Sequence, residues 1–210
     1  MLIYTYLTMT LLNYKRFTLT YDHINKVTHK WNYTQSKFDF GNEPRPRRYH
    51  YDPDIPKIYQ QKSLKSYGNG YDLGHLVRSG DMSLDSTTRH QANYITNILP
   101  QVSSFNRGIW YKTETIASAM ARLQLVNIYG GVIFNDTSND YFLESHGIRT
   151  PDLWYKILIT NNFTNIISWL IPNKENLNGL EYYLLSVREI EKEIGEKLDY
   201  VPEDLKDFKI

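Results

Sequence analysis

Two stretches near the middle of the chain decide the fold, YGNGYDLGHL at residues 67–76 and TNILPQVSSFNRGIWYKTE at residues 96–114. The first opens with a glycine turn signal and continues into residues 71–76, which we expect to form a short strand. The second leads into the clearest helix of the chain, expected from Ser103 onward with Ser103 and Ser104 as N-caps. Large or β-branched residues recur there at helical intervals. They are Ile109, Thr113, Ile116, Met120 and Leu123.

These stretches contain four polar candidates for chemistry, Asp72, His75, Asn106 and Glu114. On a regular helix, Asn106 and Glu114 lie about 80° apart around the axis and about 12 Å apart along it. Both can border one cleft, but both can hold a single metal ion only with a bridging water. One histidine, one amide and one carboxylate suit hydrated magnesium better than zinc. From the residues alone, a structural His–Asn pair is the alternative to a base that takes a proton from water.

The remaining pattern predicts a mixed fold. Strands are expected at residues 16–21, 26–33, 125–134, 153–160 and 166–171. A second helix is expected at residues 185–198, with Glu189, Glu191, Glu193 and Glu196 on its solvated face. Because strands and helices do not alternate regularly, the pattern favours an α+β fold over a doubly wound sheet. The length is that of one domain, which we expect to cover residues 1–210.

Composition narrows the function classes. The chain has 210 residues, a net charge of +1 and no cysteine, which excludes disulfides, thiolate metal sites and a thiol nucleophile. Residues 1–112 carry a net charge of +7 and residues 113–210 one of −6, so the first half suggests a polyanionic partner such as nucleic acid. No apolar run is long enough to span a membrane. Residues 1–12 are expected to form a first strand or helix, with a secretory signal as the alternative, and the compartment stays open.

The motifs together resemble the DNA/RNA non-specific endonuclease family. DLGH at residues 72–75 is similar to the family's D-R-G-H signature, and residues 96–101 are similar to its S/T-N-I-x-P-Q segment. Asn106, Trp110 and Glu114 reproduce its N-x3-W-x3-E helix, nine residues after Asn97. The similarity covers roughly residues 15–202. It implies an α+β fold of the ββα-metal nuclease type, with a mostly antiparallel central sheet flanked by helices.

The resemblance also implies a role for each site residue. His75 matches the general base that activates water, and Asn106 matches the direct protein ligand of Mg²⁺, with Mn²⁺ as the alternative metal. Glu114 matches the carboxylate that orients the site through a water on the metal. Asn97 matches a residue that supports the site near His75, and Asp72 an acidic residue that orients it. The implied activity is hydrolysis of phosphodiester bonds in DNA and RNA, leaving 5′-phosphate ends.

Two departures from the family pattern bear on activity. Leu73 stands where the motif has arginine, and Ser118 where an arginine often follows the helix glutamate by four residues. Losing one charge-stabilising donor costs about 10²–10³-fold in rate. Arg78 and Arg107 are the candidate replacements, and Arg78 is favoured because it follows His75 by three residues.

A basic loop cluster is the candidate contact to the nucleic-acid backbone, together with Arg107. Its members are Arg45, Arg47 and Arg48. The leading hypothesis is a magnesium-dependent endonuclease acting on single- or double-stranded DNA and RNA. The alternatives are a catalytically weakened or inactive relative that binds nucleic acid or a protein, and a plain binding scaffold. We expect no membrane partner, and a homodimer remains open.

Overall fold

The computed structural model describes residues 9–160 and 165–209. Its strands are β1 (Met9–Asn13), β2 (Phe17–Asp22), β3 (Val27–Gln35), β4 (Tyr71–His75), β5 (Ile98–Val102), β6 (Val126–Ile133), β7 (Leu153–Thr160) and β8 (Ile166–Pro172). Six of them form one sheet in the order β1-β2-β3-β6-β7-β8, and every neighbouring pair is antiparallel. β4 and β5 form a separate two-stranded antiparallel sheet, which we call the β4–β5 hairpin although residues 76–97 connect its strands. The mostly antiparallel α+β fold is confirmed.

The helices are short except for one. They are α1 (Ser86–Gln91), α2 (Ser103–Phe105), α3 (Tyr111–Leu123) and α4 (Val187–Ile194). A π-helical turn, Asn106–Trp110, joins α2 to α3, and we call the continuous helix of residues 103–123 the site helix. The 3₁₀ turns are Lys57–Tyr59, Ser79–Met82, Ile95–Asn97, Leu180–Tyr183 and Glu203–Leu205.

The six-stranded sheet is covered on both faces, because side chains along a strand alternate between faces. On β7, Trp154 and Leu158 belong to the core that includes the site helix, whereas Tyr155 and Ile157 pack with Val187 and Ile190 of α4. Burial on both sides explains why β7 is an almost continuous apolar run rather than an alternating one.

Three tryptophans join the site helix to the sheet. Trp110 of the helix lies edge-on to Trp31 and Trp154, with ring centroids 6.3 and 5.3 Å away. Gly130 of β6 makes room for this cluster, because a Cβ at that position would overlap the Trp31 ring. Trp110 is fully buried. The helix that carries the polar candidates is therefore anchored to the sheet through Trp110.

The β4–β5 hairpin and the site helix form a ββα unit. His75 pairs with Ile98 and Leu73 with Pro100, so the two quoted stretches lie side by side. The glycine of the DLGH stretch is required by this pairing, because a Cβ on Gly74 would overlap the buried side chain of Gln101. The helix follows the second strand directly, at Ser103.

Two local expectations were wrong. Ser103 and Ser104 do not cap the site helix, whose N-cap is Val102, and the Ser103 hydroxyl donates to Asp72 instead. Glu191 is not solvated but buried, where its carboxylate pairs with Lys206 at 2.7 Å.

The remaining strand predictions are confirmed within a residue or two. The second helix is shorter than expected, because Ser186 forms a capping box with Glu189 at its start and left-handed Gly195 ends it. The expected N-terminal element lies partly outside the described residues, and β1 accounts for its described part. Among the described residues, no helix has the length and apolar character needed to cross a membrane.

Candidate active site

A cleft of about 310 Å³ opens beside the ββα unit. It is lined by Arg45, Leu73, His75, Arg78, Ser79, Gly80, Arg89, Asn106, Tyr111 and Glu114. The hairpin contributes its end at His75, the site helix contributes Asn106 and Glu114, and the loop after β4 contributes Arg78. The structure therefore brings together the histidine, amide and carboxylate that the sequence singled out.

His75 is held by Asn93, a residue that the sequence analysis missed. The Asn93 side-chain nitrogen donates to the carbonyls of Pro46 and Arg48, so its Oδ1 faces His75 at 3.1 Å from Nε2. An amide oxygen can only accept, and this assigns the proton to Nε2. The His75 Nδ1 then carries the lone pair needed by a base. No sequence signal marks Asn93, which is buried in the turn after α1.

The imidazole of His75 is kept neutral by its surroundings. Burial, helped by the charges of Arg45 and Arg89 and opposed by the Asn93 hydrogen bond, lowers the pKa of His75 from its ordinary 6.5 to about 4. A base must be unprotonated to accept a proton, and this environment keeps His75 in that form well below neutral pH.

This pKa predicts how stability depends on pH. Because folded His75 excludes a proton that the unfolded chain binds, its stabilising contribution is complete above pH 6.5 and is lost as pH falls towards 4. We expect the free energy of unfolding to fall there by up to about 1.4 kcal/mol per pH unit from this group. Urea unfolding across this range tests the slope. His75→Gln cannot titrate and should give a shallower slope; equal slopes in both proteins would contradict the assignment.

Asn97 is fully buried, and its side chain joins the segment that follows β4 to the segment that follows α1. Its Oδ1 accepts from the backbone N–H of Val77 at 2.9 Å, and its Nδ2 donates to the carbonyls of Val77 and Ala92. Its own carbonyl accepts from the N–H of Leu76 at 3.0 Å. These bonds fix the backbone immediately after His75.

Asp72 orients the Asn106 amide. The Nδ2 of Asn106 donates to Asp72 Oδ2 at 2.9 Å, which leaves the amide oxygen as the atom available to an electrophile. Burial opposes ionisation of Asp72, but hydrogen bonds from Arg107, Asn106 and Ser103 outweigh it and lower the pKa of the carboxyl. Asp72 is thus a fixed anion at the working pH.

The π-helical turn corrects the expected spacing of the helix residues. A π turn holds about one residue more than an α turn, which removes roughly 100° from the angle between residues on either side of it. Asn106 begins this turn and Glu114 lies beyond it, so their separation falls from about 80° to roughly 20°. Both side chains consequently line the same cleft.

Glu114 and Arg78 form an ion pair at the cleft wall, with Arg78 Nε 3.3 Å from Glu114 Oε2. Burial raises the pKa of Glu114, while Lys156 and Arg78 counteract that rise. The Arg78 guanidinium also donates to Ser118 Oγ at 3.1 Å. Arg78 therefore reaches the helix position where the family pattern often has arginine.

The donor set fits a hydrated magnesium ion. In the part of the chain that the structure describes, no group of three or more His, Cys, Asp or Glu side chains could hold a metal ion. The cleft instead offers one oriented amide oxygen, from Asn106, with the Glu114 carboxylate on the same side. Magnesium prefers oxygen donors and keeps several of its waters, so few protein ligands suffice.

The predicted basic residues separate into two groups. Arg45 lines the cleft and donates to the Tyr49 hydroxyl at 3.1 Å. Arg47 and Arg48 are not among the lining residues. Arg107 is 74% exposed, pairs with Asp72 at 2.6 Å and is not among the lining residues. Arg89 was not predicted and lines the cleft.

A hairpin that ends in histidine and runs into a helix carrying asparagine and glutamate defines a fold of the ββα-metal nuclease class. A family model described as DNA/RNA non-specific endonuclease matches residues 4–206. The chain belongs to the DNA/RNA non-specific endonuclease family, and the predicted family is confirmed.

Individual relatives are distant. The chain is 24% identical to nuclease C1 of Cunninghamella echinulata var. echinulata over 166 residues, which are 70% of this chain and 66% of that protein. It is 25% identical to the mitochondrial nuclease EXOG of Xenopus laevis over 201 residues, which are 87% of this chain and 56% of that protein. The matched region therefore spans about half to two thirds of each relative's length.

The fold is also shared with a solved structure. A chain in the crystal structure of the EndoG/EndoGI complex matches with a TM-score of 0.77 at 19% identity, covering 93% of this chain and 88% of that chain. At this identity the likeness is one of fold.

Proposed function

We propose that this chain is a metal-dependent endonuclease that hydrolyses phosphodiester bonds in both DNA and RNA and leaves 5′-phosphate ends. The observation that carries the proposal is the neutral His75, whose free Nδ1 shares one cleft with the oriented oxygen of Asn106. Membership of the endonuclease family supports it. The basic lining of the cleft fits an anionic backbone that is read without regard to base sequence.

In the proposed reaction, His75 Nδ1 takes a proton from water as the water oxygen attacks phosphorus. The bond between phosphorus and the 3′-oxygen breaks, and the 3′-oxygen takes a proton from solvent. The phosphate remains attached to the 5′-oxygen. His75 then returns its proton to solvent. Asn93 keeps the correct nitrogen free for this step, and Asn97 keeps the backbone after His75 in place.

Asn106 and Glu114 are the residues proposed to hold magnesium, with manganese as the alternative metal. When bound, the ion supplies Lewis-acid stabilisation of charge on the phosphate and the leaving oxygen. Arg78 fixes the Glu114 carboxylate through their ion pair. Arg45 is proposed to contact the phosphate inside the cleft, and the proposed backbone contacts of Arg47, Arg48 and Arg107 lie outside its lining.

Nicking of supercoiled plasmid with magnesium, in the presence and absence of EDTA, tests the proposal. We expect nicking that chelation abolishes and added magnesium restores, together with degradation of a single-stranded RNA under the same conditions. The ends should be ligatable without prior kinase treatment, because they carry 5′-phosphate. Absence of cleavage by verified folded protein, with magnesium and with manganese, would refute the enzyme assignment.

A second candidate function rests on Leu73. This side chain lines the cleft where the family motif has arginine, which favours a weakened relative that binds nucleic acid without cutting it. Such a protein should bind DNA equally well with EDTA, with affinity that falls as salt rises. Salt-sensitive binding without nicking would therefore select this function over the first.

A further inference from the structure

Arg89 is a cleft residue that the family motifs leave without a role. It lies on α1, fourteen residues after His75, in a segment without a motif. Its guanidinium NH1 donates to the carbonyl of Ser79, whereas its Nε is buried without a hydrogen-bond partner. Within residues 9–160 and 165–209, it also forms no ion pair with a carboxylate.

The hydrogen-bonding frame that positions His75 also positions Arg89. Arg89 is tied to the carbonyl of Ser79, and the hydroxyl of Ser79 donates to Asn93 Oδ1 at 3.2 Å. That same oxygen accepts from His75 Nε2. The guanidinium and the imidazole are therefore held by one short chain of contacts, on the same cleft.

Charge in the cleft is unbalanced around Arg89. Arg78 is compensated by Glu114 and Asp81, but Arg45 and Arg89 have no ion-pair partner among the described residues. Burial, with the nearby charges of Arg45 and Arg78, lowers the pKa of Arg89. An incompletely bonded guanidinium among other cations is costly unless an anion joins it. A phosphate diester supplies both the charge and the acceptor oxygens.

The position of Leu73 indicates which missing side chain the Arg89 guanidinium substitutes for. Leu73 and His75 are two residues apart on β4, so they share a face of the strand, and both line the cleft with Arg89. An arginine at position 73 would extend into the same space. In the family pattern the arginine side chain thus comes from β4, whereas in this chain a guanidinium comes from α1.

We propose that Arg89 binds the scissile phosphate and takes the place of the motif arginine that Leu73 lacks. The proposal rests on the proposed endonuclease function. The guanidinium donates to the non-bridging phosphate oxygens and stabilises the charge that builds on them in the transition state.

Exchange of the two positions provides the test. We expect Arg89→Met to lower kcat/KM for plasmid nicking about 10²–10³-fold, as for loss of one transition-state donor. Leu73→Arg combined with Arg89→Met should recover most of that loss. Arg122→Met is the matched control, because Arg122 is exposed and stacks on Phe40 rather than lining the cleft. It should nick like wild type.

Binding gives a readout that does not depend on catalysis. With EDTA and a duplex oligonucleotide, Arg89→Met should reduce the slope of log affinity against log salt by about 0.9, the value for one phosphate contact. Arg89→Lys keeps the charge, so it should retain that slope while its nicking rate falls. If thermal melting shows that Arg89→Met is unfolded, Arg89→Lys replaces it in the test.

The outcomes separate the two proposals. An inactive wild-type protein defeats the endonuclease function itself. An active wild type with unchanged nicking and salt slope in Arg89→Met overturns the role of Arg89. A slow Arg89→Met whose salt slope is unchanged and which Leu73→Arg does not rescue would make Arg89 only a structural support, and this also overturns the proposal.

Discussion

The largest expected loss of activity is that of His75→Ala, which we expect to nick supercoiled plasmid about 10²–10⁴-fold more slowly than wild type at saturating magnesium. The variant lacks the nitrogen that takes the proton from water. Its affinity for DNA in EDTA should change little, because the neutral imidazole contributes no charge to phosphate binding. Initial nicking rates and fluorescence anisotropy measure the two quantities separately.

Imidazole in solution distinguishes a base from a structural residue. The alanine side chain leaves room where the ring was, so added imidazole should raise the nicking rate of His75→Ala and leave the wild-type rate unchanged. His90→Ala is the matched control, since His90 is exposed on α1 and stacks on His50 outside the cleft lining. A folded His75→Ala protein that cuts at the wild-type rate would remove His75 from the mechanism.

The first strand and the helix of the ββα unit could be predicted from short-range signals, whereas the unit as a whole was implied only by the family resemblance. The glycine turn before Tyr71, the spacing from Asn97 to Asn106 and the helical recurrence around Trp110 each act within a few residues. The same holds for the strands of the large sheet, whose apolar runs are long and separated. Predicting such elements requires no information about contacts between residues far apart in the sequence.

The angle between Asn106 and Glu114 could not be predicted in the same way. The estimate of about 80° assumed a regular α-helix, and nothing in the apolar pattern marks a π turn. Phe105 and Trp110, at the two ends of the turn, both pack against Trp154 of the sheet, and such contacts are tertiary information. The effect of the turn is to place both polar side chains on one cleft.

Residues that hold the site from a distance were also missed or misread. Asn93 and Arg89 come from the segment between the two decisive stretches, and only the folded chain brings them to His75. The sequence pattern predicts a helix cap at Ser103 because serine is common there, but Asp72 across the hairpin binds its hydroxyl. A competing partner on another strand is invisible to local sequence patterns.

Asn106→Ala is expected to have an effect of similar size to His75→Ala, but with a different dependence on metal. The substitution removes the oriented amide oxygen that is proposed to hold magnesium. We expect nicking to fall about 10³-fold, the equivalent of roughly 4 kcal/mol of charge stabilisation, and excess magnesium should not restore it. Asn32→Ala, which alters an exposed asparagine of β3, should behave as wild type.

Asp72→Asn tests whether the orientation of that oxygen matters. Residue 72 would keep its size but lose the charge that binds Asn106 and Arg107, so the amide would be held less firmly. Loss of a residue that orients a metal ligand weakens metal binding about 10–100-fold. We therefore expect the magnesium concentration for half-maximal nicking to rise by about 10–100-fold, while the rate at saturating magnesium largely recovers. Rates measured across a magnesium titration separate the two variants. An Asn106→Ala protein with the wild-type magnesium dependence would exclude Asn106 as a ligand, whereas an unchanged titration for Asp72→Asn alone would show that the helix backbone suffices to aim the amide.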